Sequence, residues 1–359
     1  MIVPMLTRTQ IYKWLREDDA DRLAQLWSAA DLVRSRTVGP QVHLRGLVEL
    51  SNYCTRGCTY CGLRAANRDL PRYRMTDDEV LACARQIADR GYGTLVLQAG
   101  EDDELTANRI AGLVRYVKAN TSLAVTLSLG ERTDEELAAW RDAGADRYLL
   151  RFETSDRALF DRIHPPRGGR TSDRLAQLTR LRNIGYEIGG GVMIGIPGQT
   201  YESLANDIAT FAEWDLDMIG VGPFIPHPQT PLGQGRLPRE IDADKQAPSN
   251  ELMVYKVVAL ARLVRPDANI PATTALASIN PKNGRELALM RGANVVMPNF
   301  TPLEYRQLYE IYPGKTCVTE TGQKCDQCLR GRIAHIGREV GVGPGGRGQH
   351  LSEIECANV

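Results

Sequence analysis

Three cysteines fall within one short stretch, Cys54-Thr55-Arg56-Gly57-Cys58-Thr59-Tyr60-Cys61, spaced Cys-x3-Cys-x2-Cys. Thiolates this close can ligate three irons of a four-iron cube and leave the fourth without a protein ligand. A small molecule can bind an open iron and be reduced there. A structural zinc site wants four ligands, and no neighbouring His or Cys supplies the fourth. The spacing therefore points to a catalytic [4Fe–4S] cluster on Cys54, Cys58 and Cys61, with the Tyr60 ring shielding one side.

A second group, Cys317-x7-Cys325-x2-Cys328, could hold an auxiliary [2Fe–2S] or [4Fe–4S] cluster. Zinc competes there, because His335 lies seven residues beyond. Cys83 sits among apolar helical neighbours and reads as core. Cys356 has no evident role. Clustered thiols suit metal sites in a reducing compartment better than disulfides.

The elements that would position these residues follow a regular rhythm. An apolar run, Gly46-Leu47-Val48-Glu49-Leu50, leads into the first triplet. Further β-rich runs lie at 94–98, 123–127, 147–151, 188–194, 217–221, 269–273 and 294–297. Amphipathic helical stretches fall near 77–90, 105–119, 133–143, 172–184, 201–214, 249–264 and 284–291. Such alternation makes parallel βαβ units. Eight of them predict an α/β fold, a closed (β/α)8 barrel of the TIM type, ahead of an open doubly wound sheet. The expected organisation is an N-terminal helical extension (1–43), the barrel (44–300) and a C-terminal cysteine-bearing extension (301–359). That last part ends in a glycine-rich stretch at 341–348 that reads as a flexible basic tail.

Barrel active sites lie at the C-terminal ends of the strands, and the unusual residues fall there. The triplet follows the first strand, Gly100-Glu101-Asp102 the second and Ser128-Leu129-Gly130-Glu131 the third. Arg151-Phe152-Glu153-Thr154 follows the fourth, and Thr273-Thr274 and Met297-Pro298-Asn299 follow the last two. Lys+Arg and Asp+Glu balance at 44 each, so neither nucleic acid nor an anionic membrane is the expected partner. No apolar run reaches the roughly 18 residues a membrane helix needs. The opening Met1-Ile2-Val3-Pro4-Met5-Leu6 lacks the apolar core of a secretory signal, so a cytoplasmic location is expected.

The triplet after a first barrel strand resembles the radical SAM superfamily. Arg72-Tyr73-Arg74-Met75-Thr76, Gln98-Ala99-Gly100-Glu101-Asp102, Val221-Gly222-Pro223-Phe224-Ile225-Pro226-His227-Pro228 and Ile270-Pro271-Ala272-Thr273-Thr274 resemble its hydrogenase-maturase branch, the HydE family. The resemblance implies S-adenosylmethionine on the open iron and its one-electron cleavage to a 5′-deoxyadenosyl radical. It implies that Gly100 and Glu101 receive the SAM amino group, Glu153 the ribose hydroxyls and Arg174 the carboxylate. It implies a substrate wall of Thr126, Arg147, Thr273, Thr274, Met297, Tyr309 and Tyr312. Taken alone, the threonines could equally serve β-propensity and Met297 or the tyrosines packing.

The implied reaction is attack on a cysteine-bound iron carbonyl/cyanide unit supplied by HydG, with the product passing to HydF and ferredoxin or flavodoxin as reductant. A mutase of the PylB type and a non-catalytic iron–sulfur scaffold are the alternatives. Ala99 and Phe152 stand where the family carries Ser and His, which would change polarity near the cofactor or in the cavity.

Overall fold

The computed structural model describes residues 6–169, 171–237, 241–316 and 322–347. Its centre is a parallel sheet of β1 (Gln41–Ser51), β2 (Thr94–Ala99), β3 (Ala124–Ser128), β4 (Arg147–Leu149), β5 (Glu187–Ile194), β6 (Met218–Pro223) and β7 (Val295–Val296), with a short β8 (Glu339–Val340). The order is β6-β5-β4-β3-β2-β1-β7, and β8 pairs with the start of β1. The first strand is longer than its apolar run, because His43 and Arg45 join the ladder.

The sheet closes on itself through residues 269–271. Single parallel bridges join Met218 to Asn269 on one side and Pro271 to Val295 on the other. This is the run expected as a strand at 269–273. It forms no regular strand because Pro271 has no N–H to give the ladder. The seam is sewn by Asn294, which is fully buried. Its Oδ1 accepts from the Ile270 amide (2.8 Å) and from Arg262 (3.0 Å), and its Nδ2 donates to Asn269 (2.9 Å). The barrel expected from eight βα repeats is therefore present, with seven strands and one bridged segment.

Period-2 alternation sorts side chains between helix-facing core and lumen. Val48, Leu50, Leu95, Leu97, Val125, Leu127, Ile188 and Ile219 pack against the helices. Arg45 reaches across the lumen to Met218 Sδ (3.1 Å). The lumen also carries Glu49, Gln98, Thr126 and Arg147. A barrel interior is ordinarily filled by branched apolar layers, whereas this one carries several polar and charged side chains. On β6, a Cβ at Gly220 would meet nothing nearer than 3.8 Å, which keeps that wall bare.

The expected N-terminal helix is two helices, Arg8–Leu15 and Ala20–Thr37, begun by Thr7 and Asp19 caps. They brace the outer helices Tyr201–Glu213 and Glu251–Val264. Helices Arg157–Ile163, Thr274–Ile279, Leu303–Arg306 and Gly322–His335 add to those expected.

The stretch read as a flexible tail is pinned instead, as far as residue 347. It runs under the N-terminal end of the barrel. The Pro344 carbonyl accepts from Thr94 (3.0 Å) and Arg147 (3.2 Å), and the Gly345 carbonyl accepts from Arg45 (3.1 Å) and Asn269 (3.1 Å). Arg347 then pairs with Asp215, Asp217 and Asp267. Gly343 and Gly345 have φ of 76° and 56°, which lets the chain turn beneath the lumen.

Replacing Asn294 by Leu would leave Ile270, Asn269 and Arg262 without their buried partner. A loss of about 3 kcal/mol in unfolding free energy is expected, read as a lower urea midpoint. An unchanged midpoint would show that the seam does not depend on Asn294.

Candidate active site

The cysteine loop leaves β1 at the C-terminal mouth of the barrel. Its main chain is tied to the loop after β2: the Thr55 amide and hydroxyl both donate to the Glu101 carbonyl, at 2.9 and 3.0 Å. Thr59 N–H donates to Ile163 (2.9 Å) and Gly62 N–H to Ile311 (3.1 Å), so the loop is also fastened to the fourth βα loop and to the C-terminal extension. Gly100 is needed where it stands, since a Cβ there would lie 2.2 Å from the Tyr53 carbonyl.

Cys58 is buried, and Cys54 and Cys61 are half-buried. Burial pushes all three thiols up, Cys61 to about 12. The thiols are therefore protonated without metal, and loading must release those protons. Among the described residues, only Glu101, Glu131 and His164 bring three potential ligand atoms within 4.8 Å of one another. The three sulfurs are thus spread wider than the ligands of one ion, as corners of a cube require. The donor set fits a cluster better than a single zinc.

The Glu101–Glu131–His164 group is itself no metal site, because arginines already occupy it. Arg56, from within the cysteine loop, pairs with Glu101 and with Glu131 (2.9 Å). Arg174 pairs with Glu131 (3.0 Å) and Glu101 (3.5 Å) and donates to the Arg151 carbonyl (2.7 Å). Ser172 donates to Glu131. Burial would lower the Arg174 pKa, but Tyr60, Glu101, Glu131 and Cys58 outweigh it and hold it raised. His164 lies 2.6 Å from Arg174 through Nε2. Burial, then Arg174 and Arg56, push His164 down to about 2, so the ring is neutral and its Nε2 accepts. No motif singles out Arg56 or His164; only the position of Glu131 after the third strand hints at a role for it.

Glu153 leaves β4 with φ of 62°, a left-handed backbone that is costly for a residue with a Cβ. Its carboxylate, buried beside the mouth, pairs with Arg151 (3.0 Å) and accepts from Tyr60 Oη at 3.4 Å. Tyr60, Gly100, Glu101, Glu153 and Arg174 thus converge around the cysteine loop. The Glu101 carboxylate is spent on two arginines and its carbonyl on Thr55.

The expected substrate wall divides between the two ends of the lumen. Arg147 lies at the floor, bonded to Glu187 (2.6 Å), Thr94 (3.1 Å) and Pro344. Thr126 pairs with it in register, and its buried hydroxyl has no partner among the described residues. Near the mouth, Gln98 donates to Tyr309 Oη (3.2 Å), and burial raises the Tyr309 phenol. Met297 and Thr274 line a small pocket with Asn299 and Lys315. Thr273 caps the helix that Thr274 begins. Burial raises Tyr312, which bonds Ser278.

Lys315, which the sequence did not single out, forms a buried ion pair with Glu49. Ala99 and Phe152 both turn away from the lumen. Ala99 joins the helix-side core and Phe152 meets Phe211 edge to face at 6.2 Å, so neither alters cavity polarity. Cys328 is exposed and Cys325 lies on the helix Gly322–His335, whereas Cys317 and Cys356 lie outside the described residues.

A radical SAM superfamily model matches residues 48–211. The chain is 44% identical over 341 residues to the [FeFe] hydrogenase maturase subunit HydE of Thermotoga maritima, covering 95% of this chain and 94% of that protein. It is 29% identical over 300 residues to the 3-methylornithine synthase of Methanosarcina barkeri, covering 83% and 80%. The crystal structure of methylornithine synthase (PylB) shares the fold at a TM-score of 0.77, with 24% identity and coverage of 98% and 96%.

Replacing Arg56 by Ala would leave Glu101 and Glu131 to share Arg174. Breaking a buried pair in this way costs about 3–5 kcal/mol. Burial raises Glu131, but Arg174, Ser172 and Arg56 together hold it below the ordinary carboxylate range. Its contribution is therefore present above the unfolded pKa and lost as pH falls through the folded one. The deficit of the variant should be widest near neutral pH and narrow below about pH 4.3. Denaturant unfolding across pH checks this, and a deficit that does not change with pH would refute it.

Proposed function

The chain belongs to the radical SAM superfamily of enzymes, and from that premise we propose that it is a maturase of the HydE type, acting on a sulfur-bearing substrate inside the barrel during [FeFe]-hydrogenase assembly. The observation that carries this reading is a loop of three thiols, one buried and two half-buried, with no fourth ligand beside them among the described residues, at the mouth of a polar lumen.

Cys54, Cys58 and Cys61 would hold a [4Fe–4S] cluster and Gly100, Glu153 and Arg174 would hold SAM, which together supply a 5′-deoxyadenosyl radical when bound. Tyr60 shields that site, and Glu101 acts by orienting Arg174 and the cysteine loop. Thr126, Arg147, Thr273, Thr274, Met297, Tyr309 and Tyr312 bind the substrate from the two ends of the lumen. In this reading the chain divides at 1–43, 44–300 and 301–359: the described residues of the first part brace the barrel, the second forms it, and the described residues of the third pack at its mouth and floor. Cys317, Cys325 and Cys328 would carry an auxiliary cluster peripheral to turnover. A ferredoxin or flavodoxin supplies the electron, HydG the cysteine-bound iron carbonyl/cyanide substrate, and HydF receives the product. A closed lumen suits the task, since its walls keep water and side partners from a reactive intermediate. The positions that would favour a mutase, Ala99 and Phe152, face the helices.

Anaerobic loading with iron and sulfide, then dithionite and SAM, tests the reading. Cleavage of SAM is expected, and a thioether of 5′-deoxyadenosine when a cysteine-derived substrate is supplied. Cys58→Ser should abolish cleavage, and Glu153→Gln should raise the SAM KM about tenfold. Absence of SAM cleavage from a fully loaded cluster would overturn the enzymatic reading. Free 5′-deoxyadenosine carrying substrate hydrogen would overturn the maturase chemistry.

A further inference from the structure

Between β1 and the helix Asp77–Asp89 the chain folds back past the cysteine loop, carrying Arg72. The Arg72 guanidinium donates to four main-chain carbonyls. Nη1 reaches Asn52 (2.5 Å) and Leu63 (2.9 Å), and Nη2 reaches Arg64 (3.0 Å) and Asn67 (2.9 Å). Asn52 lies two residues before Cys54 and Leu63 two residues after Cys61. One planar fork therefore ties the entry of the loop to its exit.

The surrounding bonds repeat the same closure. Asn52 Nδ2 donates to Pro71 (2.8 Å), its Oδ1 accepts from the Tyr73 amide (2.8 Å), and Asn67 Nδ2 donates to Gly62 (2.7 Å). A lysine could not reproduce this, because its ammonium is a single point with rotating donors rather than a rigid fork.

The charge of Arg72 is as notable as its bonds. Among the described residues, no carboxylate is ion-paired with it, whereas Arg74 next but one is paired with Asp102 (2.7 Å). Burial lowers the Arg72 pKa, and the anionic forms of Cys54, Cys61 and Tyr53 act the other way. Its guanidinium sits on the Asn52 and Leu63 carbonyls, so this unpaired cation lies beside both ends of the cysteine loop.

We propose that Arg72 is the positioning residue of the cluster: it holds the cysteine loop in shape before metal arrives and lends a positive charge that favours the reduced, more negative cluster. The inference rests on the reading that Cys54, Cys58 and Cys61 hold iron and sulfide. With such a group bound, a fixed neighbouring cation would lower the energy of its reduced, more negative state relative to the oxidised one.

Two variants of the full chain separate the clamp from the charge. Arg72→Lys keeps the charge and loses the fork; Arg72→Gln loses both. Three measurements apply: amide hydrogen exchange over residues 52–67 in the metal-free protein, iron loss to a ferrous chelator after anaerobic loading, and the midpoint of a dithionite titration followed by EPR. Both variants should exchange faster over 52–67 and release iron about tenfold faster than the natural protein. Only Arg72→Gln should move the midpoint to a more negative potential. Natural exchange, iron retention and midpoint in both variants would overturn the proposal. If Arg72→Gln fails to fold, Arg72→Lys decides the clamp by exchange and iron loss, and a natural midpoint in it supports the charge. If the natural protein takes up no cluster, the reading of the cysteine loop fails instead, while hydrogen exchange still judges the clamp.

Discussion

The buried group of Arg56, Glu101, Glu131 and Arg174 is the constraint on which the rest of the mouth depends. Two guanidiniums and two carboxylates meet there with balanced charge, and each atom of the set belongs to a different connection. Arg56 belongs to the cysteine loop, Glu101 to the loop after β2, Glu131 to the loop after β3 and Arg174 to the helix after β4. Any one of these charges alone would be too costly to bury. Together they oblige four loops to fold as a unit. The neutral His164 fits this arrangement, because a protonated imidazole at 2.6 Å from Arg174 would add a third like charge to the group.

Much of this was legible in the sequence. The period of the apolar runs fixed the number and order of barrel segments, since a lumen-facing residue on one strand must alternate with a helix-facing one. The cysteine spacing declared a three-ligand site because no other residue types in that pattern could do the same chemistry. Pro271 was also visible, but its consequence was not: whether a proline weakens a strand or ends it depends on neighbours such as Asn294, which are distant along the chain. The same holds for Ala99 and Phe152. A residue type suggests a change of polarity, but only its direction from the strand says whether a ligand could meet it. Phe152 packs on Phe211, so a change at that position is an event in the core. The tail was misread because glycine-rich sequence suggests freedom, whereas here glycine lets the chain pass close beneath the barrel and offer its carbonyls to Arg45, Thr94, Arg147 and Asn269.

The C-terminal extension thus packs at both ends of the lumen. At the mouth, Leu308 accepts from Asn52 Nδ2 (2.8 Å), Ile311 accepts from Gly62, and Lys315 pairs with Glu49 inside the barrel. At the floor, residues 341–347 lie across the strand starts. The residues that brace the cysteine loop and those that block the far opening come from one segment of chain, joined by the helix Gly322–His335. A barrel built this way offers a guest a mouth beside the cysteine loop and a floor made of backbone carbonyls.

That geometry says which end of the lumen can do what. The floor is cationic at its side chains, with Arg45 and Arg147 pointing inward. Each spends part of its fork on tail carbonyls, leaving Arg45 Nε and the Thr126 hydroxyl without hydrogen-bond partners among the described residues. Burial, then the neighbouring Arg147, lower the Arg45 pKa to about 9, while Glu187 acts the other way. The mouth carries instead the thiols, the neutral His164 and a set of matched ion pairs. In the proposed reading, binding at the floor and redox chemistry at the mouth would be separated along the barrel axis.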